Sequence, residues 1–396
     1  MHILESYALQ NDLKIDKALL YEKFFPLAVD EYITLDTSST GTSAMNYDHW
    51  QLVVDMIKPF LDSKGIQIVQ LGEKNCTPLQ GCYMAIGQCN FNQKSYVIKN
   101  SLLHLSSNNQ SSHISSHFDK KSIILFPYNC YVSQFKPYWS SEENLQILQG
   151  DSLDEKPSFN PSESPKSINS IKPEDIAEKT LSYLGINTFK PQYKTLRIGS
   201  SFNRPRIESN LTHLLDAKKL GMSSLIMRMD LNFNEENLLK QLQACPCSVI
   251  TSQPLSDFII DNYHKQIVEL VYYITDDHSP EFIEKVKSKS ITFLLRTRKS
   301  GSAIEDLKLD YLDLGMIQPV KEKSKDDFPE LKGKNNLYYK SKHFIVHNNN
   351  FYPGTAALTK LKQGSPTMDH EPQEVIDDPI FWEEEDHYHF FEKVVD

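Results

Sequence analysis

The chain has 396 residues, 39% of them hydrophobic and 24% charged, with a formal net charge of -10. It is too long for one ordinary core and apolar enough to bury two, and its acidity excludes a general nucleic-acid binder, which needs clustered Lys and Arg. Six cysteines without a framework spacing suit a reducing compartment. No basic-then-apolar leader and no apolar run of about 18 residues is present, so a cytoplasmic protein is expected.

In chain order, residues 31–35 predict a first strand and residues 38–43 a small polar loop. Trp50, Val53, Val54, Ile57, Phe60 and Leu61 then recur at helical spacing, and Lys64-Gly65 ends that helix. Residues 66–71 read as a strand closed by Gly72-Glu73-Lys74-Asn75. A helix over 92–99, a strand over 101–105, a polar loop over 106–110, a helix over 111–118 and a strand over 123–126 follow. Such alternation specifies a parallel sheet covered on both faces, with ligands bound outside the carboxyl ends of the strands. The loop at 106–111 aims helix N-terminal N–H groups at one point, which makes it the expected anion site.

Residues 140–172, with Pro157, Pro161 and Pro165, read as an irregular Pro/Ser-rich connection; Pro173 opens a helix to residue 184. A second α/β domain is expected over residues 191–320 after a first over 1–190. Its predicted elements are a strand at 196–199, a helix at 210–220, a strand at 224–229 and a helix from Asn234 to residue 242. Strands at 247–250, 268–274 and 291–295 follow, with a helix opened by Ser279-Pro280. Residues 321–396 read as an extension: a hairpin over 336–352 turning at Asn348-Asn-Asn350, then an acidic segment. From Met368 that segment holds eleven acidic side chains, but also Phe381, Trp382, Phe390 and Phe391, so a helix docking through an aromatic face is expected, with a protein partner as one acceptor for it.

Between residues 32 and 184 the order of pieces resembles the donor-binding half of glycosyltransferase family 9, the ADP-heptose:lipopolysaccharide heptosyltransferases. The Trp50 helix, the strand ending in Gly72-Glu73, the run 92–101, Asn108-Asn-Gln-Ser-Ser-His113 and the Ile171-Lys-Pro-Glu-Asp-Ile-Ala177 helix carry it. The family loop has an Asp, a Thr or Ser, three variable residues and a His; the spacing matches, with His113 in the His place and Asn108 in the Asp place. The resemblance implies two Rossmann-like domains facing a cleft, the GT-B arrangement with the donor-type domain first. It places Asn108, Asn109, Gln110 and Ser111 at the donor diphosphate, Glu73 near the ribose, and Cys89 and Asn90 near the base.

The implied activity is metal-independent, inverting transfer of a sugar from a nucleotide-sugar to a glycan or lipopolysaccharide-type acceptor, without a cofactor. The alternative is a non-catalytic descendant that binds carbohydrate or serves assembly. The family's phosphate-facing Lys has no counterpart in residues 38–47, and the family's acceptor domain precedes the donor domain instead of following it. A carboxylate base would therefore come from Asp230, Asp276 or Asp277. Plainer roles compete at each position: His113 as a packing histidine, Asn108 and Asn109 as helix caps, Asp276 and Asp277 as a capped turn. His104 and His117 read as structural, Cys245-Pro-Cys247 as a strand entrance, and His387-Tyr-His389 as surface.

Overall fold

The computed structural model describes residues 29–38, 43–151, 162–299, 301–311, 317–360 and 364–394. The amino terminus, most of the polar loop at 38–43, and Pro157 and Pro161 lie outside them. The chain forms two compact units, Met1–Thr195 with Val394–Asp396, and Leu196–Lys393.

Unit 1 is built on a parallel sheet. Its strands are β1 (Tyr32–Asp36), β2 (Gln67–Leu71), β3 (Tyr83–Met84), β4 (His104–Ser107), β5 (Ser122–Phe126) and β6 (Leu145–Gln149), in the order β3-β2-β1-β4-β5-β6. Helices α1 (Trp50–Asp62), α2 (Phe91–Asn100), α3 (Gln110–His117) and α4 (Pro173–Tyr183) alternate with them. Strand periodicity divides the two faces of the sheet. Ile33, Leu35, Leu103, Leu105, Ile123 and Leu125 face α1 and α4, where Val53, Ile57, Ile176 and Leu181 close a wholly apolar core.

The opposite face carries Tyr32, Thr34 and Asp36 on β1, with His104 and Ser106 beside Thr34 and Asp36 in register. Apolar packing there (Val69, Leu71, Val97, Ile98, Ile114) gives way to a polar seam toward the carboxyl ends. Helix α3 sits close over the sheet because Ser111, Ser112, Ser115 and Ser116 are fully buried and small.

Two predictions fail in this half. The strand expected at 101–105 lies at β4, so Ser106 and Ser107 are strand residues and the loop shrinks to Asn108-Asn109. β4 is central and buried on both faces, and its position between β1 and β5 overrides the polar character of its last two residues. The connection at 140–172 contains the missed edge strand β6, paired in parallel with β5. Its three apolar residues in five, Leu-Gln-Ile-Leu-Gln, are too short and irregular a pattern to mark a strand among turn formers.

Unit 2 carries β8 (Arg206–Ser209), β9 (Leu225–Arg228), β10 (Cys247–Thr251), β11 (Ile267–Ile274), β12 (Phe293–Thr297), β13 (Ile317–Pro319), β15 (His343–His347) and β16 (Asn350–Tyr352) in the sheet order β13-β12-β11-β10-β9-β8-β15-β16. A smaller sheet, β17-β14-β18-β7, joins β7 (Tyr193–Ile198), β14 (Tyr338–Ser341), β17 (Gln373–Glu374) and β18 (Tyr388–Lys393). The longer helices are α5 (Glu235–Ala244), α6 (Asp257–Tyr263), α7 (Pro280–Ser288) and α8 (Ser302–Asp310), followed by short α9 (Thr355–Thr359) and α10 (Pro379–Glu383). Asn234 caps α5 and Ser279 caps α7 through the expected side-chain bonds.

Five predictions in this half are corrected. The strand at 196–199 belongs to the small sheet. The helix at 210–220 does not form: Leu211 sits at φ +60°, and side chains of neighbouring segments take the backbone groups a helix would use. Asn237 Nδ2 donates to Leu211 O at 2.7 Å, Asn232 Nδ2 to Asn210 O at 2.8 Å, and Gln241 brackets Leu215 with two bonds of 2.9 Å. Of the hairpin at 336–352 only β15–β16 pair, turning through Asn348 and Asn349 at φ +48° and +62°, while β14 lies in the other sheet.

The acidic segment forms the five-residue α10 and strand β18 instead of an amphipathic helix. Its aromatic face is consumed by its own unit. Trp382 and Phe390 stack with centroids 5.7 Å apart, Phe381 and Tyr388 with centroids 4.6 Å apart, and all four are buried. Phe391, the remaining aromatic of the strand, is buried as well. His389 is likewise buried, not on the surface.

Candidate functional site

The carboxyl end of unit 1's sheet opens on a cleft of about 560 Å³ between the loop after β2, the loop before α2, and the first turn of α3. Glu73, Cys89 and Gln110 line it, as do Lys74, Phe91 and Lys94. Gly87, at φ +64°, is required here: a Cβ would come within 2.5 Å of the Lys74 side chain.

The loop of α3 works differently from the sequence expectation. Asn109 is the N-cap, and its carboxamide accepts from Ser111 N at 2.9 Å and Ser112 N at 3.2 Å. Two of the backbone donors expected to meet an anion are thus satisfied by the chain itself. Asn108 is buried, with its N–H given to Leu125 O at 3.0 Å. Ser111 turns its hydroxyl to the Asp36 carboxylate beneath the helix. Asn90 caps α2 in a capping box with Gln93. His113 is half-buried on α3, and burial pushes its imidazole pKa down.

What the cleft does present is a cation the sequence did not reveal. Lys94, on the inner side of α2, lines it with a side chain only 13% exposed, and its Nζ lies 3.3 Å from Asp36 Oδ2. Asp36 Oδ1 also accepts from Ser38 N at 2.8 Å. Burial alone would raise the Asp36 pKa, but Lys94, Ser111 and Ser38 more than offset it and hold the carboxylate below its usual range. Behind it, His104 Nδ1 meets Thr34 Oγ1 at 2.9 Å, and burial drives the His104 pKa down to about 4. Only the strand register, which sets Asp36 beside Ser106 and under α2, marks Lys94 as a site residue. The burial of Cys89 raises its thiol pKa to about 11, so it lines the cleft as a neutral group.

The carboxylates expected as bases sit in unit 2. Asp230, just past β9, is gripped by Arg228 through two bonds of 2.8 Å. Asp276 is 91% exposed and pairs with Lys299 at 2.8 Å, which lowers its pKa. Asp277 is exposed in the same turn. Unit 2 also holds a buried ion network: Glu208 receives Arg206 at 2.6 Å and Arg228 at 2.7 Å, with His343 Nε2 at 3.1 Å.

All six cysteines are free, with Cys245 and Cys247 sulfurs 4.0 Å apart. Among the described residues, no group of three or more His, Cys, Asp or Glu converges as a metal-ion site, and no helix is long and apolar enough to cross a membrane.

No family model and no curated protein matches the sequence. Part of the chain is similar to solved structures. Against Escherichia coli ADP-heptose lps heptosyltransferase II the identity is 13% and the TM-score 0.31, over 43% of this chain and 51% of that one. Against the glycosyl transferase family 9 protein of Veillonella parvula they are 14% and 0.30, over 43% and 52%. UDP-GlcNAc 2-epimerase from Methanocaldococcus jannaschii aligns over 76% of this chain and 90% of its own, at 11% identity and a TM-score of 0.18. The chain thus spans about half the length of the two transferases. The architecture itself is mixed α/β, with a parallel sheet in unit 1 and, in unit 2, a mainly parallel sheet beside a small one whose β14 pairs antiparallel with β17 and β18.

Proposed function

We propose that unit 1 holds the diphosphate of a nucleotide-sugar and that the protein transfers the sugar to a glycan or lipopolysaccharide-type acceptor, with inversion and without a metal. The observation that carries this reading is Lys94 at the wall of a cleft at the carboxyl end of a parallel sheet, beside Gln110 on the first turn of α3. Ligands of such sheets bind at that end. The family-like spacing of the loop supports it, and Lys94 supplies from α2 the cation that residues 38–47 lack. Loss of a nucleoside diphosphate builds negative charge on the leaving phosphates, and a fixed ammonium stabilises that charge as it develops. The acceptor hydroxyl needs a base; the exposed Asp277 is a better candidate than Asp230 and Asp276, which pair with Arg228 and Lys299.

A non-catalytic, carbohydrate-binding or assembly role is the second reading. Asn108 in place of the family's loop carboxylate and the engagement of Asp230 favour it. Thermal shift with ADP, UDP, GDP and CMP on the intact chain and on Lys94→Met tests the first reading. A nucleotide at about 100 times its dissociation constant should add roughly 2.7 kcal/mol of stability. Stabilisation by one nucleotide that Lys94→Met cuts by about half, as a tenfold weaker affinity requires, names the donor class. Silence from all four at millimolar concentration sinks donor binding and leaves the second reading.

A further inference from the structure

Asp36 ends β1, is 1% exposed, and touches the elements that build the cleft. It accepts from Ser38 N of its own loop, from Ser111 Oγ of α3 and from Lys94 Nζ of α2. Burying a carboxylate is costly unless it is fully hydrogen-bonded. A sheet end could carry a neutral residue here at no such cost, so the carboxylate needs an account beyond packing.

We infer that Asp36 is a positioning residue that fixes the Lys94 ammonium at the cleft wall before a phosphate arrives. This rests on the reading of the cleft as a diphosphate site. An ammonium has three donors on a flexible four-carbon stem. Asp36 takes one at 3.3 Å, which holds the stem and leaves two donors for an anion. Ser111 and Ser38 in turn lock the carboxylate, so the hydroxyl once expected at the phosphates acts one step behind them. His104 completes the back wall: its Nδ1 is held by Thr34, and burial keeps the ring neutral, so it does not compete with Lys94 for Asp36.

Positioning and simple charge balance make opposite forecasts. If Asp36 only neutralised Lys94, Asp36→Asn would free a positive charge and tighten anion binding. If it positions Lys94, the same change releases the lysine stem and loosens binding.

The experiment uses the intact chain and two readouts. The first is acetylation of Lys94 by limiting acetic anhydride, followed by mass spectrometry on the ligand-free protein. The second is calorimetric titration with inorganic pyrophosphate. In Asp36→Asn, Lys94 acetylation should rise several-fold and pyrophosphate affinity should fall by about tenfold, which is 1.4 kcal/mol. Lys94→Met should lose as much, and the double variant no more than either. Ser111→Ala, which keeps both charges, should move both readouts the same way by less, and it serves if Asp36→Asn does not fold. Unchanged acetylation in both variants, or tighter pyrophosphate binding by Asp36→Asn, overturns the inference. Faster acetylation in Ser111→Ala, which keeps the Asp36 charge, without pyrophosphate binding by any form upholds the positioning of Lys94 and removes the diphosphate reading instead.

Discussion

Arg228 Nη1 donates to Glu208 Oε2 at 2.7 Å inside unit 2, and both side chains are buried. The same guanidinium reaches Thr355 Oγ1 at 3.0 Å and grips Asp230, so one arginine joins the ends of β8 and β9 to the start of α9. Burial would raise the Glu208 pKa, but His343, Arg228 and Arg206 beside it hold it well below the carboxylate range. Removing one member strands a buried charge. Arg228→Met should cost about 3–5 kcal/mol, read as a fall in the urea midpoint, whereas Arg228→Met with Glu208→Leu should recover part of it. A double variant as unstable as the single one would show that packing, not the orphaned charge, sets the loss.

Asn109→Ala separates the cap from the anion site. Losing a cap costs about 1 kcal/mol of stability. Because Asn109 serves Ser111 N and Ser112 N and is absent from the cleft lining, nucleotide affinity should change less than about threefold, against about tenfold for Lys94→Met. A nucleotide affinity that collapses in Asn109→Ala would return the phosphate role to the loop.

Acid should weaken unit 1 through His104. Its folded pKa, about 4, lies below the unfolded value near 6.5, so the unfolded chain takes the proton first as pH falls. The stability this residue contributes is fully present above pH 6.5 and is lost as pH falls from 6.5 through 4, on the order of 2–3 kcal/mol. Asp36, with its pKa lowered, adds a further loss only below the ordinary carboxylate range. Denaturant midpoints of the wild type should fall across pH 6.5 to 4, and His104→Asn should flatten that slope. An unchanged slope in the variant would assign the acid sensitivity elsewhere, with half-buried His113 and His387, both lowered by burial, the next groups to replace.

The carboxyl-terminal residues are core, not tail. Trp382 stacks on Phe328 as well as Phe390, and Phe381, Tyr388 and Phe390 are fully buried beside it. Trp382→Ala should destabilise unit 2 by about 3–5 kcal/mol. A chain stopped at residue 367 should fail to give soluble, cooperatively folded protein in an expression and melting test. A well-folded truncation would restore the picture of a detachable segment.

Helices with strong local signals are legible in the sequence. The apolar stripe from Trp50, Pro173 at a first helical position, Asn234 and Ser279 as caps, and the Asn348-Asn349 turn all lie where local chemistry puts them. What failed was structure whose stabilising partners are distant in sequence. The segment from Asn210 to Leu220 has helical spacing, yet Asn232, Asn237 and Gln241 outcompete its internal hydrogen bonds. Strand β6 needed β5 beside it, and β18 needed β14.

The site divides along the same line. The sequence by itself determined that strands and helices alternate, that Asn108–His113 opens a helix at a strand end, and that Glu73 and Gln110 stand in loops after strands, because these follow from spacing and turn chemistry. Only the tertiary structure decided that Asn109 closes the helix N-terminus on itself and that Ser111 faces inward to Asp36. It alone brought Lys94 to the cleft from a helix whose own pattern gives that lysine no distinction. The physical reason is register: β1 and β4 pair so that Asp36 emerges beneath α2 and α3 together, and a buried carboxylate draws the nearest cation to itself.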